Sequence, residues 1–139
     1  MTCMPVADYM TQYPHFVGPE HSMAAAHRLM RRHKIRHLPI VKDGHLVGVV
    51  SQRDLYFLET LKDVNPEEVC VSEAMQKDVL AVKPSTPVAQ VARTMVEETI
   101  GSVIIMDDNR VTGIFTTIDA LRVLMELTEV GEEVLASVS

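Results

Sequence analysis

The sequence predicts an α/β fold of the α+β sandwich type: two tandem β-α-β-β-α units packed about a pseudo-twofold axis. Three observations predict it. The 139-residue chain matches itself without a gap at an offset of 65 residues (119 − 54), which lays Val6 on Val71, Met10 on Met75, Pro19 on Pro84, Arg28 on Arg93, Met30 on Met95, Ile35 on Ile100, Ile40 on Ile105, Gly48 on Gly113 and Asp54 on Asp119. Such self-similarity marks an internal repeat. Each half also passes through the same succession of alternating and helical apolar periods. The composition, 47% hydrophobic and 23% charged, is that of an ordinary globular domain, and the length suits one domain. The two units are therefore expected to share a core that neither buries alone.

Each unit opens on a segment ending in Met10 or Met75 that reads as one turn of helix. A short strand follows, His15 to Val17 and Leu80 to Val82, ended by Pro19 and Pro84. The next helix is carried by Met23, Ala26 and Met30 in the first unit and by Val88, Val91, Ala92 and Met95 in the second, spacings that make one apolar face. These methionines read as core. Thr86 followed by Pro87 reads as an N-cap hydroxyl and a proline at the first helical position. Two strands come next. His37 to Lys42 and Leu46 to Val50 flank Asp43-Gly44, a type I′ hairpin signal. Ser102 to Met106 and Val111 to Phe115 flank Asp107-Asp108-Asn109-Arg110, read as a looser turn. Gly48 and Gly113 lie within the second strand of each hairpin, where glycine signals a bulge or the close approach of a ligand or another backbone. A last helix closes each unit, Leu55 to Leu61 and Ala120 to Leu127. The organisation is residues 1–62, a linker over 63–69, residues 70–127, and a tail over 128–139 expected as a short docking helix or a frayed end.

Charge and composition exclude several functions. A net charge of −6 argues against a nucleic-acid-binding protein, which needs a basic surface, and the 4% aromatic content without Trp removes base-stacking platforms. No apolar run reaches the roughly 18 residues of a membrane span. The opening MTCMPVADYMTQYP has neither a basic region nor a sustained apolar stretch, so a secretory leader is not expected. Cys3 and Cys70 are too few for a disulfide framework and read as free thiols of a cytoplasmic protein. His15, His21, His27 and His33 recur every six residues, a spacing that does not share a helix face, and no zinc or nucleophile motif is present. Neither a metal site nor a catalytic residue is assigned.

The chemistry concentrates where the second strand of each hairpin enters the last helix, at Ser51-Gln52-Arg53-Asp54 and Thr116-Thr117-Ile118-Asp119. Ser/Thr-x-x-Asp is a capping box, in which hydroxyl and carboxylate satisfy free backbone N–H groups reciprocally. The same helix start suits an anion, and the carboxylate suits a vicinal diol such as ribose. Both readings stand on the residues alone.

The doubled pattern resembles a tandem pair of CBS domains, the repeats named for cystathionine β-synthase. The resemblance rests on Ile35-Arg36-His37-Leu38-Pro39-Ile40-Val41, on Gly48-Val49-Val50-Ser51-Gln52-Arg53-Asp54-Leu55 and on Gly113-Ile114-Phe115-Thr116-Thr117-Ile118-Asp119, and spans roughly Pro5 to Leu127. It implies a module with two clefts that take adenine nucleotides. Asp54 and Asp119 would hold ribose hydroxyls. Ser51, Thr116 and Arg53 would face ribose or phosphate. Leu38, Pro39, Val103 and Ile104 would line the adenine pocket. Arg36 and His37 precede a strand expected to edge a cleft, where related proteins set cations against phosphates; an arginine there can make two parallel hydrogen bonds. Repeat two has uncharged Gly101 and Ser102 at those positions, so its cleft is expected to differ.

The function expected is a regulatory module, without enzyme activity or a required cofactor, that senses AMP, ADP, ATP or an adenosyl compound such as S-adenosylmethionine. It would act as a homodimer on a separate protein, without membrane or nucleic-acid contact. The alternative is a ligand-independent dimeric scaffold with empty clefts, in which the basic face of repeat one meets Glu97-Glu98 of a second copy head to tail.

Overall fold

The computed structural model describes residues 4–61 and 63–138; Cys3 lies outside them. Two one-turn 3-10 helices, Val6–Asp8 and Val71–Glu73, head the repeats. The rest runs β1 (Thr11–Gln12), α1 (Met23–His33), β2 (His37–Lys42), β3 (His45–Ser51), α2 (Gln52–Glu59), β4 (Ala81–Val82), α3 (Val88–Glu98), β5 (Ser102–Asp107), β6 (Arg110–Thr116) and α4 (Thr117–Val138). One sheet has the order β1-β6-β5-β4, with β4 parallel to β5 and the other neighbours antiparallel. The other is the β2–β3 hairpin, extended by single bridges from Val17 to Ile40 and from Gln76 to Val49.

The repeats exchange their leading segments. Val6 is fully buried in the core made by α3, β5 and β6, while Val71 is fully buried in the core made by α1, β2 and β3. The hydrogen bonds match across the repeat: Val6 N–H donates to Thr86 O at 2.8 Å and Val88 N–H to Met4 O at 2.8 Å, as Val71 N–H donates to His21 O at 2.8 Å and Met23 N–H to Val69 O at 2.9 Å. A third cluster, Val49, Ile104 and Ile114, joins β3 to β5 and β6 at the centre.

The exchange explains Gly48 and Gly113. A Cβ on Gly48 would stand 2.8 Å from Met75 Sδ and 2.9 Å from Gln76 O, and one on Gly113 would overlap Met10. Each glycine makes room for the leading segment of the opposite repeat.

Several sequence expectations need correction. The strand expected over residues 15–17 is reduced to one bridge at Val17. In repeat two the ladder includes Ile104 N–H donating to Leu80 O at 3.0 Å; the equivalent of Ile104 is Pro39, which has no N–H to give. The strand that does form, Thr11–Gln12, pairs with β6 of the other repeat. At α3 the cap position is Pro87, extended at ψ 135° and without a side-chain cap bond, so the helix begins at Val88 and not at a Thr86 cap; Ser22 holds the equivalent place on α1 and does cap, accepting from Ala25 N–H at 3.1 Å. The turn expected to be loose is as tight as its partner. Asp108 and Asn109 have φ of 49° and 64°, Asp43 and Gly44 have 51° and 79°, and both hairpins close through two left-handed residues as type I′ turns do. The last helix does not stop near Leu127 but runs on to Val138.

Candidate functional site

Both helix starts form the capping box. Ser51 N–H donates to Asp54 Oδ2 at 2.8 Å and Asp54 N–H donates to Ser51 Oγ at 3.1 Å. Thr116 N–H donates to Asp119 Oδ2 at 2.8 Å, and Asp119 N–H reaches Thr116 Oγ1 at 3.4 Å. Each box uses one carboxylate oxygen to order the first turn of its helix. The use of the other oxygen separates the two repeats.

Among the described residues Asp54 Oδ1 accepts only from Gln76 Nε2, at 3.2 Å, and Asp54 is half-buried. Asp119 Oδ1 accepts from Thr11 Oγ1 at 2.9 Å and from Arg122 Nη1 at 3.2 Å, while Thr116 Oγ1 donates to Oδ2 at 3.1 Å. Asp119 is 2% exposed. Thr11 and Gln76 occupy the same place in the repeat, each directly after its methionine, and the exchange of leading segments carries each to the opposite carboxylate. The difference is chemical: Thr11 is a short hydroxyl on a paired strand, whereas Gln76 is a longer amide that ends in an exposed hydrogen bond. Sequence reading missed Thr11, Gln76 and Arg122; the position after Met10 and Met75 was the available signal for the first two.

Arg36 and Arg53 are exposed, and His37 is half-buried at the start of β2. The His37 ring lies over Gly101 of the other repeat, where a Cβ would stand 3.1 Å from Nε2 and 3.8 Å from Thr117 Oγ1. Gly101 therefore leaves space for a cation-forming ring that its own repeat lacks. Burial lowers the His37 pKa; Asp54 opposes that shift and Arg36 adds to it. His37 thus shares a field with Asp54 and Arg36 on the seam between repeats.

The four residues expected to line an adenine pocket divide by strand alternation. Leu38 and Val103 are fully buried in the separate cores of the two repeats. Ile104 lies in the central cluster, and Pro39, buried at the equivalent position, points from β2 to the side opposite Leu38 and Ile40. Beyond Gln76 the leading segment continues along a groove of about 370 Å³ lined by Leu46, Val47, Lys77, Val79, Ala81 and Met106, with His45 and Asn109 at the hairpin tips. Its walls are polar and apolar in nearly equal parts, and it opens widely to solvent. Among the described residues no helix is long and apolar enough to cross a membrane.

Comparison with known proteins agrees with this architecture. The family model for the CBS domain matches residues 6–58 and 71–126. The structure of a putative acetoin utilization protein (AcuB) from Vibrio cholerae superposes with a TM-score of 0.84 at 32% identity, covering 95% of this chain and 98% of that one. The CBS domain pair of protein MJ0100, solved in complex with 5-methylthioadenosine and S-adenosyl-L-methionine, gives a TM-score of 0.80 at 29% identity over 88% and 97% of the two chains. CBSX2 in complex with AMP gives 0.75 at 28% identity over 90% and 98%. The chain spans 46% of protein MJ1225 of Methanocaldococcus jannaschii, 29% identical over 84% of this chain, and 21% of an inosine-5'-monophosphate dehydrogenase of Korarchaeum cryptofilum, 32% identical over 74%.

Proposed function

The chain belongs to the CBS domain family, and on that premise we propose that it is a regulatory module that binds an adenosyl compound at the Asp54 cleft and transmits occupancy to a separate protein. The observation that carries this reading is the unequal state of the two carboxylates. Asp119 is enclosed by donors of its own chain, whereas the second oxygen of Asp54 is held by one exposed amide. A ribose diol replaces that amide without leaving a buried group unpaired, and at Asp119 it would have to displace both Thr11 and Arg122.

In this reading Asp54 holds the ribose, Ser51 and Arg53 border it, and Arg36 and His37 face a phosphate. Pro39 and Ile104 take the base. Asp119, Thr116 and the backbone near Leu38 and Val103 form the second, more closed cleft. The ligands of MJ0100 and CBSX2 support the adenosyl class. Displacing Gln76 from Asp54 frees the side chain of a segment that bridges to β3, and a ligand that favours the displaced arrangement shifts the population toward it. The module works in a reducing cytoplasmic setting as a homodimer, and any catalysis belongs to the protein it regulates.

The test is calorimetric titration with AMP, ADP, ATP, S-adenosylmethionine and GTP, on protein freed of co-purified nucleotide. The expected result is one adenosyl ligand bound per chain, with Asp54→Ala weakening it at least tenfold. Absence of heat and of any thermal shift with every adenosyl compound would overturn the reading in favour of an empty-cleft scaffold.

A further inference from the structure

His37 stands where the two repeats meet. Its backbone pairs across the hairpin with Ser51, the residue that caps α2 together with Asp54. Its ring lies over Gly101, and Thr117 Oγ1 borders the same space. The charges that act on the ring come from its own repeat: Asp54 from α2, and Arg36 from the chain just before β2. The wall that repeat two supplies, through Gly101 and Thr117, is uncharged. The repeat offset lays Gly101 and Ser102 on Arg36 and His37, so this pairing of a fixed cation with a switchable one has no counterpart at the equivalent positions. Arginine stays charged at every working pH, whereas histidine changes charge near neutrality.

We propose that His37 makes the Asp54 cleft proton-coupled: an adenosyl ligand carrying a 5′-phosphate dianion binds together with one proton, taken up from solvent by the His37 ring, while one without a phosphate binds with none. The inference rests on the adenosyl reading above and adds the ligand class that the cleft selects as pH falls. Its basis is electrostatic. Without ligand, burial lowers the pKa of the ring, Asp54 raises it and Arg36 lowers it. The net shift is downward from an ordinary value near 6.5, so the ring is mainly neutral at pH 7. A dianion set between Arg36 and His37 changes this balance: it offsets the repulsion from Arg36 and adds its own attraction for a charged ring. Protonation turns the accepting ring nitrogen into a donor, so that both ring nitrogens donate, and a charged donor holds an anion about twice as strongly as a neutral one. The phosphate itself is not the group that titrates above pH 7, because its second pKa is about 6. Phosphate affinity therefore rises as pH falls from the pKa of the ring in the complex toward its lower value in the free protein. Neutral 5′-substituents feel no such change. Gly101 is what leaves this wall open to the ring, and a side chain there would press on Nε2.

Calorimetry in two buffers of different ionisation heat counts the protons. At pH 7 the full-length protein should take up protons on binding AMP and none on binding methylthioadenosine. Between pH 8.5 and pH 6.5 its affinity for AMP should rise about fivefold, with that for methylthioadenosine level. His37→Gln should bind AMP without proton uptake and with a level profile. AMP binding without uptake in the natural protein, or uptake retained in His37→Gln, would overturn the inference. Should that variant fail to fold or to hold AMP, the ring signals of histidine-labelled natural protein decide. One of the six histidines should titrate at higher pH in the AMP complex than in the free protein, and six unchanged titrations would overturn the inference. Level profiles for both ligands reject proton coupling and leave the adenosyl reading standing; no binding of either ligand at any pH rejects both.

Discussion

Asp119 shows how much one side chain can be asked to do. Its carboxylate accepts from Thr116, from Arg122 three residues on, and from Thr11, 108 residues away. Removing it unmakes a helix cap worth about 1 kcal/mol and the hydrogen bonds from Thr11 and Arg122, whose exposed donors turn to water, at about 0.5–1.5 kcal/mol each. Asp119→Ala is therefore expected to cost about 2–4 kcal/mol in urea unfolding, while Asp54→Ala, which loses the cap and one exposed bond, costs about 1 kcal/mol. Equal losses would show that the enclosure of Asp119 contributes nothing. His37 makes a prediction of opposite character. Its pKa is lowered by burial, so the unfolded chain binds its proton first as pH falls. Stability from neutral His37 is present above the ordinary value near 6.5 and declines as pH drops below it toward the lowered folded value. Thermal scans from pH 8 to pH 5 should show that decline in the natural protein and a flatter profile in His37→Gln; identical profiles would remove His37 from the account.

At the scale of elements, the strands are shaped as much by what crosses them as by their own propensity. β3 and β6 each carry a glycine because a leading segment from the other repeat passes over it. At Gly48 one obstacle is a backbone oxygen, Gln76 O, which accepts from Val49 N–H at 3.0 Å while Gln76 N–H donates to Val49 O at 2.8 Å. It cannot swing away as a side-chain end can. Gly48→Ala should therefore act as overpacking and cost about 1–3 kcal/mol, read as a lower denaturation midpoint with an unchanged slope. Stabilisation would mean that the leading segment yields freely. The helices and hairpins were legible from period and turn residues: the Met23, Ala26, Met30 stripe is the buried face of α1, and Asp43-Gly44 closes the first hairpin. The short β1 was not legible, since two residues carry no period and their partners lie in the other repeat.

For the whole molecule, the exchange of leading segments means that each core is completed by a residue from the other half. Val6 belongs by sequence to repeat one and by contact to repeat two. Val6→Ala should lose about 1–3 kcal/mol through the cavity it leaves, and its signature should be spatial. Hydrogen exchange should accelerate in α3 and β5 more than in α1 and β2. The reverse order would contradict the exchange. The same arrangement makes the cleft residues interdependent, because the segment that fills one core also sets Gln76 or Thr11 against the opposite carboxylate.

The sequence by itself determined the repeat, the order of the four main helices and the two hairpins, both capping boxes and the family they resemble. These depend on short-range hydrogen bonds and on periods that a linear reading contains. Only the tertiary structure decided which core each leading segment fills and how the two carboxylates differ. Val6 and Val71 are both valine and Met10 and Met75 are both methionine, so staying at home and crossing over offer nearly the same side-chain chemistry. The choice is made by chain path and packing across the pseudo-twofold axis. From it follows the difference between a carboxylate whose outer oxygen is closed by Thr11 and Arg122 and one whose outer oxygen is held by Gln76.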